Sequence, residues 1–323
     1  MAVSASFNFD LSGGDIIDAA LRKVGALAEG QSSTTAQQTT GLQALTAMIK
    51  TWSAKGVPVH YLQIAYLYPE SNKEIFSLSP AANMAHCSLE LGITKLTADE
   101  AAASTSLDVS ITSAIDVQGT TQDSDFLGIE LDDGTIDWTT ISSGGGTTTL
   151  VPAVGLTSAA SAGNRVYFYT ARIQRPEDVL NIWRITASDQ DRTELEEFSE
   201  QEIRSMGNLT TEGEPIKYNY RKELSTTRLH IWPRFQNGKV YLELRLQSPF
   251  DDMDAVANTT PFPNTVSEAL IYGLAVRLAP EYKLPLQERM VLKQEAAEVI
   301  DVAWSHLTEM THILVQPDLD YGR

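Results

Sequence analysis

Residues 126–141 read FLGIELDDGTIDWTTI. Apolar and polar side chains alternate on both sides of one turn, with Ile129 and Leu131 before it and Ile136 and Trp138 after it. Period-two alternation marks a strand with one buried face. Asp133-Gly134 stands between the two runs, and glycine tolerates the positive φ that a tight hairpin turn needs. A β-hairpin is expected here. Upstream, Leu107, Val109 and Ile111 alternate in the same way, and Gly144-Gly145-Gly146 reads as a loop tip. Short strands with frequent turns point to a small sandwich. The hairpin lies in residues 86–164, which hold 11 acidic residues and 1 basic one. The break in charge at both edges marks this segment as a peripheral insertion.

Further strands are expected downstream at Arg165–Tyr169, Val179–Ile185, Tyr218–Tyr220, Leu229–Trp232 and Val240–Leu246. Thr193–Met206 reads as a helix, because Thr193 with Glu196 fits a cap and Leu195, Phe198 and Ile203 give an apolar face. The two ends of the chain read as longer helices. Ser12 and Asp15 fit a capping box ahead of a helix from about Gly13 to Ala28. A second helix is expected from Thr35 to Lys55, with Leu42, Leu45, Met48, Ile49 and Trp52 in one stripe. Thr265–Ala279 and Leu286–His312 complete the set, and in the last Leu292, Ala296, Val299, Ala303, Leu307 and Met310 line one face.

The fold expected from these patterns is α+β, a helical bundle formed by both chain ends with an inserted β-rich region, a small sandwich or barrel. Its parts are a bundle domain at 11–58 and 262–312, a β-rich domain at 59–85 and 165–261, the acidic insertion at 86–164 and a tail at 313–323. Leu21, Trp52, Leu270 and Trp304 are the expected bundle core.

Composition narrows the function. The 323 residues suggest about two domains. The net charge of −18 argues against gripping nucleic acid through its phosphates, which takes clustered Lys and Arg. It disfavours an anionic membrane for the same reason. Cys87 is the single cysteine, which excludes an internal disulfide framework and a multi-cysteine zinc site. Met1–Asp10 lacks the basic start and apolar core of a signal peptide, so a cytoplasmic origin is expected.

Enzyme signatures such as a phosphate-binding glycine loop, G-x-S-x-G or H-E-x-x-H are absent. His86 neighbours Cys87, but adjacent strand residues face opposite ways, which leaves the thiol without a base. His306, Glu309 and His312 near a helix end read as a polar face or a weak metal set. The acidic cluster Asp123, Asp125, Glu130, Asp132, Asp133 and Asp137 admits three readings. They are a solvated sheet edge, a calcium site with Asp123, Asp125, Asp132 and Asp133 as candidates, and a glycosidase carboxylate pair. Trp138, Trp183 and Trp232 fit either a core or a sugar platform. No cofactor is expected.

Several segments together resemble a family. They are Asp18-Ala-Ala-Leu-Arg-Lys-Val-Gly-Ala-Leu27, Leu42 to Gly56, and Glu268-Ala-Leu-Ile-Tyr-Gly-Leu-Ala-Val-Arg-Leu-Ala-Pro-Glu-Tyr282. Ile173-Gln-Arg-Pro176, Gly213-Glu-Pro215 with Tyr218 and Tyr220, and Ile231-Trp-Pro233 stand between them. In this order they resemble the head-to-tail adaptors of tailed phages, also called tail accessory or packaged-DNA-stabilisation proteins, to which tail tubular proteins look related. The likeness covers roughly residues 11–60 and 165–310, and the acidic segment departs from the shortest members.

The resemblance implies a structural virion protein assembled in the host cytoplasm. It implies a homo-oligomeric ring, commonly of twelve copies, beneath the portal, with duplex DNA passing through it and a tail protein docked on it. It also implies a C-terminal arm reaching the portal, which assigns portal binding to Ile313, Leu314, Val315, Leu319 and Tyr321. Folding back and remaining free are the other readings of that tail. The alternative function is a glycan-binding or glycan-cleaving β-protein of the virion.

Overall fold

The computed structural model describes residues 11–54, 60–110, 121–188, 190–223, 226–249, 253, 255–259, 262 and 266–307. Its helices are α1 (Gly13–Lys23), α2 (Thr35–Ala54), α3 (Glu200–Ser205), α4 (Ser267–Leu278) and α5 (Leu286–Leu307). The first strands are β1 (His60–Leu67), β2 (Ile75–Phe76), β3 (Cys87–Ser88), β4 (Gly92–Lys95), β5 (Leu107–Asp108), β6 (Phe126–Glu130), β7 (Ile136–Ser143), β8 (Thr149–Pro152) and β9 (Arg165–Tyr169). The others are β10 (Asp178–Thr186), β11 (Arg192–Glu194), β12 (Glu196–Glu197), β13 (Glu212–Gly213), β14 (Lys217–Lys222), β15 (Thr227–Trp232), β16 (Arg234–Phe235) and β17 (Val240–Pro249). The chain divides into two compact units, one of residues Met1–Tyr61 with Phe250–Arg323 and one of Leu62–Pro249.

The expected α+β class, framed on a helical bundle of the two chain ends, is corrected. Among the described residues strand makes up 32% against 26% helix, in several sheets and a half-barrel, with five helices. The protein is mainly β. Long amphipathic helices announce themselves over many residues, whereas most strands here are two to six residues long and leave a faint pattern.

Within the first unit, chemistry at the chain level sets α1. The Asp15 N–H donates to Ser12 Oγ at 3.2 Å, and the Ser12 N–H donates to Asp15 Oδ2 at 3.0 Å, a reciprocal capping box. The helix ends at Lys23, earlier than the expected Ala28, because Gly25 takes φ +71. Gly25 N–H then reaches Arg22 O at 3.0 Å and Ala26 N–H reaches Leu21 O at 2.9 Å, a Schellman stop. Leu21, Trp52 and Leu270 are buried in one apolar cluster with Leu45, Met48 and Leu274, and half-buried Trp304 packs against it. Trp304 meets Trp52 edge-on, with centroids 6.3 Å apart. Helices α2 and α4 approach closely because Gly273 has no Cβ, which would lie 2.8 Å from Met48 Sδ.

In the second unit a five-stranded sheet, β11-β10-β17-β1-β3, faces a four-stranded sheet, β12-β14-β15-β2. Ala65, Leu67, Ile182, Leu242 and Leu244 from the first share one core with Phe76, Tyr218, Leu229 and Ile231 from the second. The stretch expected as one helix over Thr193–Met206 is instead β11, β12 and the short α3. Thr193 pairs with Arg184 on β10, and the cap that forms is Ser199 with Glu202.

A six-stranded sheet, β4-β9-β6-β7-β8-β5, carries the hairpin read from the sequence. Gly134 takes φ +84 at its turn. Strand β9, expected in the neighbouring domain, sits between β4 and β6, so the acidic sheet runs from Gly92 to Tyr169. The sheet curls until its edges touch. Leu96 bridges Val109, with Thr97 N–H on Asp108 O at 2.8 Å and Ser110 N–H on Lys95 O at 2.9 Å. Alternate residues fill the inside, among them Leu127, Ile129, Val166 and Phe168. Their neighbours Ile93, Ile136, Tyr167 and Tyr169 face outward into a second apolar cluster.

Candidate functional site

The carboxylates that suggested a cation site are engaged one at a time, by donors from their own turns, an adjacent strand and neighbouring loops. Asp132 accepts the Ser161 N–H at 2.8 Å, the Ser161 hydroxyl at 2.9 Å and Asn164 Nδ2 at 2.9 Å. Asp133 accepts the Thr135 N–H at 2.9 Å, and Asp137 accepts the Thr157 N–H at 2.7 Å. Asp123 Oδ1 takes the Gly145 N–H at 2.8 Å, and Asp125 Oδ2 takes the Gln122 N–H at 2.7 Å. Glu130 pairs with Arg165 at 3.4 Å. Ser161 holds Asp132 below the usual carboxylate range, and the Thr135 hydroxyl and N–H do the same for Asp133. Among the described residues no three His, Cys, Asp or Glu side chains converge as a metal site. The structure therefore does not assemble Asp123, Asp125, Asp132 and Asp133 into a calcium centre.

The three tryptophans lie on three different sheets, Trp138 on β7, Trp183 on β10 and Trp232 on β15. Trp232 Nε1 donates to Asn208 O at 3.1 Å, and the Arg192 guanidinium stands 5.6 Å over the Trp183 ring. They form no common platform. Glu309, His312, Ile313, Leu314, Val315, Leu319 and Tyr321 lie outside the described residues.

The densest polar and aromatic grouping is the junction between the curled sheet and the five-stranded sheet. Trp138 lies flat on His86, with ring centroids 3.7 Å apart and planes 13° apart. Its Nε1–H donates to Pro69 O at 3.1 Å. Beneath it is Gly128, where a Cβ would come within 2.7 Å of the indole. His86 Nδ1 shares a 2.7 Å hydrogen bond with Tyr169 Oη. Tyr169 stacks on Tyr68 at 5.3 Å, and Tyr68 leans on Tyr167 at 5.4 Å. Tyr68 Oη donates to Glu90 O at 2.7 Å and accepts the Gly92 N–H at 3.1 Å. Tyr167 Oη donates to Gly238 O, and the Ile136 N–H donates to Ser71 Oγ at 2.8 Å. The Trp138, His86, Tyr68 and Tyr167 polar groups are thus paired across the seam, as burial demands.

Burial sets the electrostatics of the junction. Burial, with Arg172 and Lys73 nearby, pushes His86 down to about 3, so the ring is neutral at neutral pH. Burial raises the Cys87 thiol far above its ordinary value, which keeps it protonated at neutral pH. Cys87 belongs to the core between the two sandwich sheets, while His86 faces the aromatic seam. What this arrangement can do is fix one sheet to another. The sequence carried a sign of it in the two alternating pairs Tyr66-x-Tyr68 and Tyr167-x-Tyr169. Compared with known protein families and with curated proteins, the chain matches none.

Proposed function

We propose that this chain is a structural head-to-tail adaptor of a tailed phage. It forms a ring, of twelve copies in this reading, beneath the portal, extends the DNA channel, retains packaged DNA and offers tail proteins a platform. The observation that carries the reading is the shared order of the resembling segments, from Asp18–Leu27 through Ile231-Trp-Pro233 to Glu268–Tyr282.

Two properties of the chain support it. The charge of −18 suits a wall that duplex DNA must pass without sticking, since an acidic surface repels phosphate over a screening length of about 8 Å at physiological salt. The neutral His86, protonated Cys87 and donor-bound aspartates suit a protein whose work is mechanical rather than catalytic. In this reading the protein resides in the virion, binds no membrane and touches DNA without reading its sequence.

The portal contact is assigned to Ile313, Leu314, Val315, Leu319 and Tyr321. Deleting residues 313–323 and measuring binding to the cognate portal tests it. Lost binding with an unchanged melting temperature is expected, and unchanged binding would overturn the assignment.

A further inference from the structure

Among the described residues strand β1 is an edge strand over most of its length. Its outer partner β3 covers only two positions, through the pairs Tyr66↔Ser88 and Leu67↔Cys87. The next N–H, that of Tyr68, donates to His86 O at 2.8 Å. At Leu89 the chain bends away. Among the described residues no strand pairs with His60–Ala65 on that side.

Backbone groups of alternate strand residues point to the same side. With Tyr68 bonded towards β3, the N–H and C=O of Ile64 and Leu62 therefore point to the open edge. Their side chains leave the outer face of the sheet 52% and 40% exposed, while Ala65 and Leu67 are buried inward. Open edges are normally guarded by charges or proline. This strand, HYLQIAYL, has neither, in a chain whose residues are 20% charged. Among the described residues it is an unguarded template for one more strand.

The same chain contains a fitting strand. Residues 3–10 read VSASFNFD. Val3, Ala5, Phe7 and Phe9 alternate with Ser4, Ser6, Asn8 and Asp10, and no charge precedes Asp10. That segment lies outside the described residues, just ahead of Ser12 and α1. Its eight residues match the eight of β1. Adding to the edge with its odd residues outward would lay Phe7 and Phe9 against Leu62 and Ile64, the aromatic–aliphatic cross-strand pairing that stabilises sheets.

We propose that residues 3–9 of one copy add as a strand to the open edge of β1 in a second copy. Each copy then carries one donor strand and one acceptor edge. Such a contact is heterologous, and repeated around an axis it closes a ring. The inference rests on the ring reading above and gives that ring its interlock.

The test uses two variants of the full chain, one lacking residues 2–9 and one with Ile64→Pro, which removes an edge N–H. Ile64→Lys serves as a second edge variant that keeps the backbone donor and adds a guarding charge. By light scattering the unaltered chain is expected to be oligomeric and each variant alone to have the mass of a single chain. Mixing the donor-less and edge-blocked variants should give a one-to-one pair, because one intact arm then meets one intact edge. Oligomers that persist in all variants would overturn the proposal. So would a mixture that stays monomeric, which would assign the arm to its own chain's edge. Oligomers that ignore the arm yet still bind the portal would remove this inference and leave the adaptor reading standing. Arm-dependent oligomers that fail to bind the portal would do the reverse.

Discussion

His86 is held neutral by its surroundings, and that makes the stability of the junction depend on pH. Its folded value lies near 3, against an ordinary 6.5. As pH falls below about 6.5 the unfolded chain takes up a proton that the folded chain refuses. Stability is therefore complete above about 6.5 and is lost progressively as pH falls towards 3. The slope for one such group is about 1.4 kcal/mol per pH unit. Between pH 6.5 and 4.5 the unaltered protein should lose about 2 kcal/mol more than a His86→Phe variant, which cannot titrate there. Asp132 and Asp133, whose depressed values make them stabilising until the pH falls below the carboxylate range, remain in both proteins and cancel in the comparison. Urea unfolding at the two pH values measures the difference. Equal losses in the two proteins would mean that His86 is not buried against Trp138 as described.

The acidic sheet is better joined to its neighbours than its charge suggested. Its ends lie together, since Gly92 pairs with Phe168 and the Thr170 N–H reaches Glu90 Oε2 at 3.1 Å. Replacing residues 92–169 with a short Gly-Ser linker would therefore close easily. It would also strip cover from Tyr68, Ile185 and Tyr241, which share the outer cluster with Tyr167 and Tyr169. Each such side chain is worth about 1.5–3 kcal/mol of burial, a large part of an ordinary domain's stability. A marked fall in the melting temperature of the remaining β unit is expected, and an unchanged one would restore the peripheral reading. Local chemistry was legible in the sequence. The Ser12–Asp15 box and the Asp133-Gly134 turn need only residues a few positions apart. Two features were not legible. The pattern of Thr or Ser followed three places on by Glu occurs at both Thr193 and Ser199, and pairing with β10 decides between them. The aspartates were visible, but their donors Ser161, Thr157 and Gly145 arrive from loops some 20 to 29 residues away. The sequence therefore left a solvated edge, a calcium site and a carboxylate pair open for this stretch, where the structure gives each aspartate a hydrogen-bond donor.

At the scale of the whole molecule, a mainly β chain with a charge of −18 also holds four helices, drawn from both sides of its β unit, around one apolar cluster. That cluster places α1, which follows the proposed donor strand, with α5, which precedes the proposed portal-binding tail. In the adaptor reading one small helical unit thus anchors two arms, one reaching the next copy and one reaching the portal. The central claim is assembly beneath a portal, and cryo-electron microscopy of the purified chain mixed with its cognate portal tests it most directly. A ring coaxial with the portal is expected, with one copy contacting the next and residues 313–323 at the portal face. Single copies left unattached beside intact portals would contradict it.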